Sequence, residues 1–247
     1  MQVITVVNQK GGVGKSTTVY NLGAGLEKQG YKVLMIDLDP QGNLTYNSGT
    51  IEILNTMEIL KDANKIKELN GTIIRGGGEL AGADLELQGV GKEYKLKEAL
   101  DQLKENFDFI LIDTPPTLNI LTINGLVCCD KVLIPAQADI FSLQGIGQLY
   151  NTIQTVKKYC NSKLEILGIV VTRYNSRTNL SKNIMDLLED TAKGINSKVY
   201  NTKIRECTAV KEAQALQTNI FEYAKNSNAT KDYNDLIKEI LKDLGNK

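Results

Sequence analysis

A lysine that follows three glycines and precedes two hydroxyls is equipped to hold phosphate. Here it is Lys15, in the run Asn8-Gln9-Lys10-Gly11-Gly12-Val13-Gly14-Lys15-Ser16-Thr17. Glycines let the backbone turn successive N–H groups onto phosphate oxygens, and the N-terminus of a following helix adds positive potential. In such a loop the lysine reaches the β and γ phosphates and the Ser16 hydroxyl meets Mg²⁺. The strict pattern G-x-x-x-x-G-K-[ST] would place a glycine where this chain has Gln9. A strand, three glycines, a lysine, a hydroxyl pair and a helix in that order still predict an ATP and Mg²⁺ site.

Two acidic motifs follow. Asp37-Leu38-Asp39-Pro40-Gln41-Gly42-Asn43 sets two carboxylates at the end of an apolar run, the edge of a parallel sheet where ligands bind. Taken alone, the same residues are equally ordinary turn chemistry. Asp113 closes the apolar run 107–112 and is followed by Thr114-Pro115-Pro116, as in a Walker B element or an aspartate before a proline turn.

Other chemistries are excluded by composition. The 247 residues contain no histidine and no tryptophan, which removes histidine triads and histidine metal sites. Lys plus Arg and Asp plus Glu both number 29, so no chain-wide basic field exists and any polyanion site must be a local patch. Cys128, Cys129, Cys160 and Cys207 form no C-x-x-C pair and read as reduced thiols of a cytoplasmic protein. No apolar run approaches the roughly 18 residues a membrane helix needs, and the start reads as a strand rather than a signal peptide.

Elements must hold these groups in place. Short β-branched runs at 3–7, 33–36, 109–112, 132–134 and 166–171 alternate with helical stretches at 16–29, 96–106, 146–159, 182–193 and 231–244. Continuous apolar strands between helices predict an α/β fold, a doubly wound, mostly parallel sheet covered on both faces. Residues 1–247 read as a single domain, with the glycine-rich stretch 71–91 as loops or short helices.

KGGVGKST resembles the deviant Walker A loop of the ParA/MinD ATPases, and DLDPQGN resembles the Soj-type branch; likeness at 79–87, 97–100, 107–137 and 171–175 extends it along nearly the whole chain. The resemblance implies that Lys10 crosses a homodimer interface to the partner's phosphates, comparable to an arginine finger. It also implies that Asp39 orients the attacking water, that Ser16 and Asp113 hold the metal with Asp37 supporting its shell from behind, and that Arg173 flanks the base, the alternative for Arg173 being a surface salt bridge. The expected function is an ATPase that dimerises on ATP, binds DNA without sequence preference and partitions plasmids or chromosomes with a ParB-like activator, associated with the nucleoid in its ATP state.

The segment 203–212 departs from the Soj pattern, since Ile204 to Lys211 stand where Soj-like proteins have a proline and arginines. Carry-over of DNA contacts stops there. From Arg173 onward 13 Lys/Arg face 10 Asp/Glu, so a DNA face needs clustering on a dimer, with Lys182, Lys203, Arg205 and Lys211 as candidates. With no segment before the first strand to supply a helix-turn-helix, sequence-independent binding is expected. The alternatives are a MinD-like membrane-associated ATPase, an iron–sulfur ATPase using Cys128-Cys129, and a scaffolding dimer with negligible turnover. The stripe Tyr233, Leu236, Ile237, Ile240, Leu241 and Leu244 would serve the first, but four charges of each sign on its other face favour core packing, and no stable membrane association is expected.

Overall fold

The computed structural model describes residues 1–51, 54–103, 107–175 and 179–245, the side chains of 179–183 aside. In chain order the elements are β1 (Gln2–Val6), α1 (Lys15–Lys28), β2 (Val33–Asp37), α2 (Asn43–Ser48), α3 (Thr56–Lys61), β3 (Ile73–Ile74), α4 (Ala83–Glu86), α5 (Lys95–Leu100) and β4 (Phe109–Asp113). There follow α6 (Ile120–Cys128), β5 (Lys131–Ala136), α7 (Ile140–Tyr159), β6 (Glu165–Val171), α8 (Asn179–Gly194), α9 (Thr208–Ala215), α10 (Ile220–Tyr223) and α11 (Asn228–Asp243).

The strands form one parallel sheet in the order β3-β2-β4-β1-β5-β6. Because side chains alternate along a strand, the sheet parts the apolar residues into two cores. Val3, Val7, Leu34, Ile36, Ile110 and Ile112 face one core, shared with α3, α5, α6, α7 and α8. Ile4, Val6, Val33, Met35, Phe109 and Leu111 face the other, shared with α1, α10 and α11. Both faces are covered, which is why these strands read as continuous apolar runs.

Register sets the site. Val6 pairs with Asp113 across β1 and β4, and Asp37 pairs with Asp113 across β2 and β4. The loop after β1 and both acidic motifs therefore leave the same edge of three neighbouring central strands.

α7 begins six residues before its expected start at 146. Asp139 caps it, accepting from Ser142 N at 3.0 Å, a cap that overrides the poor helix propensity of Gly145 and Gly147. α5 ends at Leu100 within the expected 96–106, whose last three residues lie outside the described ones. The stretch 71–91 holds the two-residue strand β3 and short helices.

In α11 the stripe Tyr233, Leu236, Ile237, Ile240 and Leu241 is buried, packed on the side of the sheet that α1 covers. Among the described residues no helix is long and apolar enough to cross a membrane.

Candidate nucleotide site

β1 delivers the phosphate loop and β5 pins it. Asn8, fully buried, donates from Nδ2 to Pro135 O at 2.7 Å, and its Oδ1 accepts from Lys10 N at 2.9 Å. Thr172 Oγ1 donates to Val13 O at 2.7 Å, and Gln137 Nε2 to Gly12 O at 3.0 Å. Gly14 caps α1 at φ 83°, a left-handed turn that a side chain would strain. Three strand ends thus hold Gly11, Gly12, Val13 and Gly14 in a curl that opens at the start of α1.

Inside the curl Lys15 is nearly buried and its ammonium donates to Lys10 O at 3.3 Å. Burial pulls its pKa down, while Asp113 and Asp39 pull it back up. Ser16 and Thr17 line the cleft beside it, a space of about 540 Å³ that also takes in Asp39, Gln41, Tyr46 and Pro116.

Asp113, at the end of β4, is fully buried, and neither carboxylate oxygen has a hydrogen-bond partner. Burial, and next the charge of Asp37, push its pKa well above the usual carboxylate range, with Ser16 and Lys15 pulling the other way. A buried carboxylate left without a partner is expensive unless a cation or proton meets it. With the Ser16 hydroxyl beside it, Asp113 fits a Mg²⁺ ion that keeps most of its water.

Asp37 pairs in register with Asp113 and is held by neighbouring groups. Its Oδ2 accepts from Thr45 N at 2.9 Å and Thr45 Oγ1 at 2.7 Å, and its Oδ1 accepts from Asp39 N at 3.0 Å. Both oxygens accept bonds inside the protein; burial raises this carboxyl to about 6, against the pull of those bonds. Asp37 serves the site by fixing the turn that carries Asp39. Asp39 accepts from Gln41 N at 2.9 Å and faces the phosphate cleft. Thr114 Oγ1 donates to Val6 O at 2.9 Å, tying the segment after β4 to the strand that feeds the loop.

Lys10 sits at the rim. Its ammonium is paired with the Asp139 carboxylate and lies 3.5 Å from Gln137 Oε1. Nothing in the sequence pairs positions 10 and 139; the juxtaposition needs β5 to lie beside β1.

A second hollow of about 400 Å³ continues from the loop toward Arg173, Ile204, Cys207, Val210 and Tyr233. Its lining is mostly apolar, as a nucleotide base would need, and Arg173 is at its edge. Arg173 has φ 50°, strained for an arginine, and its guanidinium donates to Glu206 at 3.1 Å.

The DNA candidates separate. Arg205 is clamped bidentately by the largely buried Asp232, with Nε to Oδ2 at 2.9 Å, and it borders the base hollow. Its charge is paired in place by Asp232. Lys211 is exposed and 3.6 Å from Glu206; Lys203 is half-buried, 5.8 Å from the Tyr174 ring centre. Lys182 is in α8, its side chain outside the described residues. Gln214 escaped the sequence reading: its Nε2 donates to Thr17 Oγ1 at 2.8 Å, joining α9 to the phosphate loop, and only the fold could reveal this.

Residues 1–166 match a family described as an AAA domain. Over 97% of its length the chain is 39% identical to the sporulation initiation inhibitor protein Soj of Bacillus subtilis, covering 98% of that protein. It is 35% identical to the chromosome partitioning protein ParA of Caulobacter vibrioides over 98% of this chain and 94% of that one. Among solved structures, a cobyrinic acid a,c-diamide synthase of Mycobacterium smegmatis with bound ATP analog and magnesium superposes with a TM-score of 0.84 at 33% identity, over 98% of this chain and 94% of that one.

Proposed function

Since this chain belongs to the ParA/Soj family of partitioning ATPases, we propose that it is an ATP-switched dimer that grips DNA of any sequence while ATP is bound and lets go when a ParB-like activator speeds hydrolysis. The observation that carries this reading is Asp113, a buried carboxylate without a partner beneath Ser16 and Lys15. Asp113 and the Ser16 hydroxyl would hold Mg²⁺, which would supply positive charge against the phosphates. ATP and magnesium carry over from the solved relative; its named reaction does not, because the groups in this cleft suit phosphoryl transfer.

Each residue then has a task. Lys15 and the N–H groups of 11–17 hold the phosphates. Asp39 orients the attacking water at the cleft edge, and no raised carboxylate pKa is needed, since such transfer depends on positioning and charge. Lys10 leaves Asp139 and reaches the nucleotide of the second copy. Tyr46, Ile140, Phe141 and Leu216, all exposed, belong to or adjoin the segments around the cleft mouth, and support a closing second copy there. Lys203 and Lys211, doubled by a two-fold axis, supply the DNA face. The whole chain acts as one ATPase domain in the cytoplasm, on the nucleoid while ATP is bound. The buried stripe of α11 supports this over a membrane-anchored reading.

The deciding experiment compares binding of the pure protein to duplexes of unrelated sequence with ATP, ADP and no nucleotide. Tight binding to all of them with ATP alone is expected. Equal affinity in the three states, or strong preference for one short sequence, would sink the proposal.

A further inference from the structure

Gln214 stands where the two halves of the cleft meet. It lines the base hollow with Arg173 and Tyr233, and the phosphate cleft with Lys15 and Asp39. Among the described residues the others that border both are Gly12, Gly14 and Thr17, all from the phosphate loop. The opposite wall contributes Gln214 alone at this junction. A nucleotide laid along the cleft passes from base to β-phosphate through its sugar and α-phosphate, so that portion crosses beside this side chain.

The side chain is chemically suited to it. A carboxamide offers two N–H donors and a carbonyl acceptor; one donor is on Thr17 Oγ1 at 2.8 Å, which leaves a second donor and the carbonyl. Its backbone is held firmly. Ala213 is buried in the core, and Ile220 N donates to Asn21 Oδ1 at 2.9 Å in a buried bond. Thr17 and Asn21 are one turn apart on α1, so the segment 213–220 is tied to the phosphate-loop helix at two successive turns.

We propose that Gln214 is a nucleotide-positioning residue, its amide hydrogen-bonding the sugar and α-phosphate portion so that base and phosphates seat together. The proposal rests on the nucleotide-site reading above. ADP and ATP share that portion, so Gln214 serves both alike and does not sense the γ-phosphate.

The test is calorimetric binding of ATP and of ADP, with Mg²⁺, to the full chain and to Q214A and Q214E. A hydrogen bond to a charged group predicts weakening of about tenfold or more for both nucleotides in Q214A. Q214E should lose more, because it sets a carboxylate against phosphates. In steady-state assays KM should rise while kcat falls far less, and the Tm of the nucleotide-free variants should stay near that of the parent. Unchanged affinity for both nucleotides in Q214E overturns the proposal. So does a loss confined to ATP, which would put the residue at the γ-phosphate, and so does a drop in nucleotide-free Tm that parallels the lost affinity. Failure of the parent chain to bind either nucleotide would instead remove the site reading itself.

Discussion

Within a single chain the Lys10 ammonium is paired with the Asp139 carboxylate, and the same carboxylate caps the helix that follows. Lys10 cannot keep this partner and also reach a phosphate across a dimer. The pair is partly exposed, and such pairs are worth up to about 1 kcal/mol. Asp139→Asn retains the cap, because asparagine caps as well as aspartate, and removes the charge. Because each copy gives up one such pair, sedimentation with ATP should show D139N dimerising at a protein concentration up to about thirtyfold lower than the parent. An unshifted or raised concentration would mean that the pair does not compete with assembly.

Lys15→Ala removes the ammonium that neutralises phosphate charge before and during hydrolysis. ATP binding and every later property should vanish. Retained micromolar affinity in calorimetry would show that the cleft has been misassigned.

Asp39→Ala removes the group assigned to the attacking water and leaves Lys15 and Ser16 in place. The variant should bind ATP, dimerise and hydrolyse little. Normal turnover would take Asp39 out of the mechanism, and a variant that stays monomeric with ATP would give it a structural role.

Gly76 lies against the residue that fixes the Asp39 turn. A Cβ there would come within 2.7 Å of Asp37 O and 2.9 Å of its Oδ1, backbone and buried carboxylate that cannot move aside. Gly76→Ala should cost about 1–3 kcal/mol and slow hydrolysis by displacing Asp39. Denaturant unfolding and turnover together check this; full stability with full activity would contradict the close approach.

If the ATP dimer neutralises about five phosphates, raising salt from about 50 to 200 mM should weaken DNA binding roughly 500-fold, from a slope near −0.9 per contact. Lys10→Ala should abolish this binding even where ATP still binds. A flat salt response would rule out a phosphate-reading face.

The phosphate loop was legible because its chemistry is contiguous: eight residues after a strand carry it, and their types permit little else. The central strands were legible for a related reason, being buried on both sides and so apolar throughout. β3 was not, since two residues paired beside β2 leave no pattern. The first turns of α7 were hidden by Gly145, Gly147 and the exposed Ile140 and Phe141, which break helical amphipathicity. The bonds from Thr45 to Asp37 were not legible either, because a motif gives types and spacing but not which hydrogen bonds a side chain makes. Lys10 with Asp139, Arg205 with Asp232 and Gln214 with Thr17 each join residues far apart in the chain, where spacing carries no signal.

The strand that carries the phosphate loop lies between β4 and β5, and this imposes an order on synthesis. When residues 1–17 leave the ribosome the loop has nothing to brace it. Its strand neighbours arrive with residues 109–136, and Thr172 and Gln214 later still. Parallel pairing across such separations forms slowly because the loops must close before any contact rewards them. The loop therefore completes its site only after residues 109–136, Thr172 and Gln214 have been made, and a nascent chain cannot draw on ATP for stability before then.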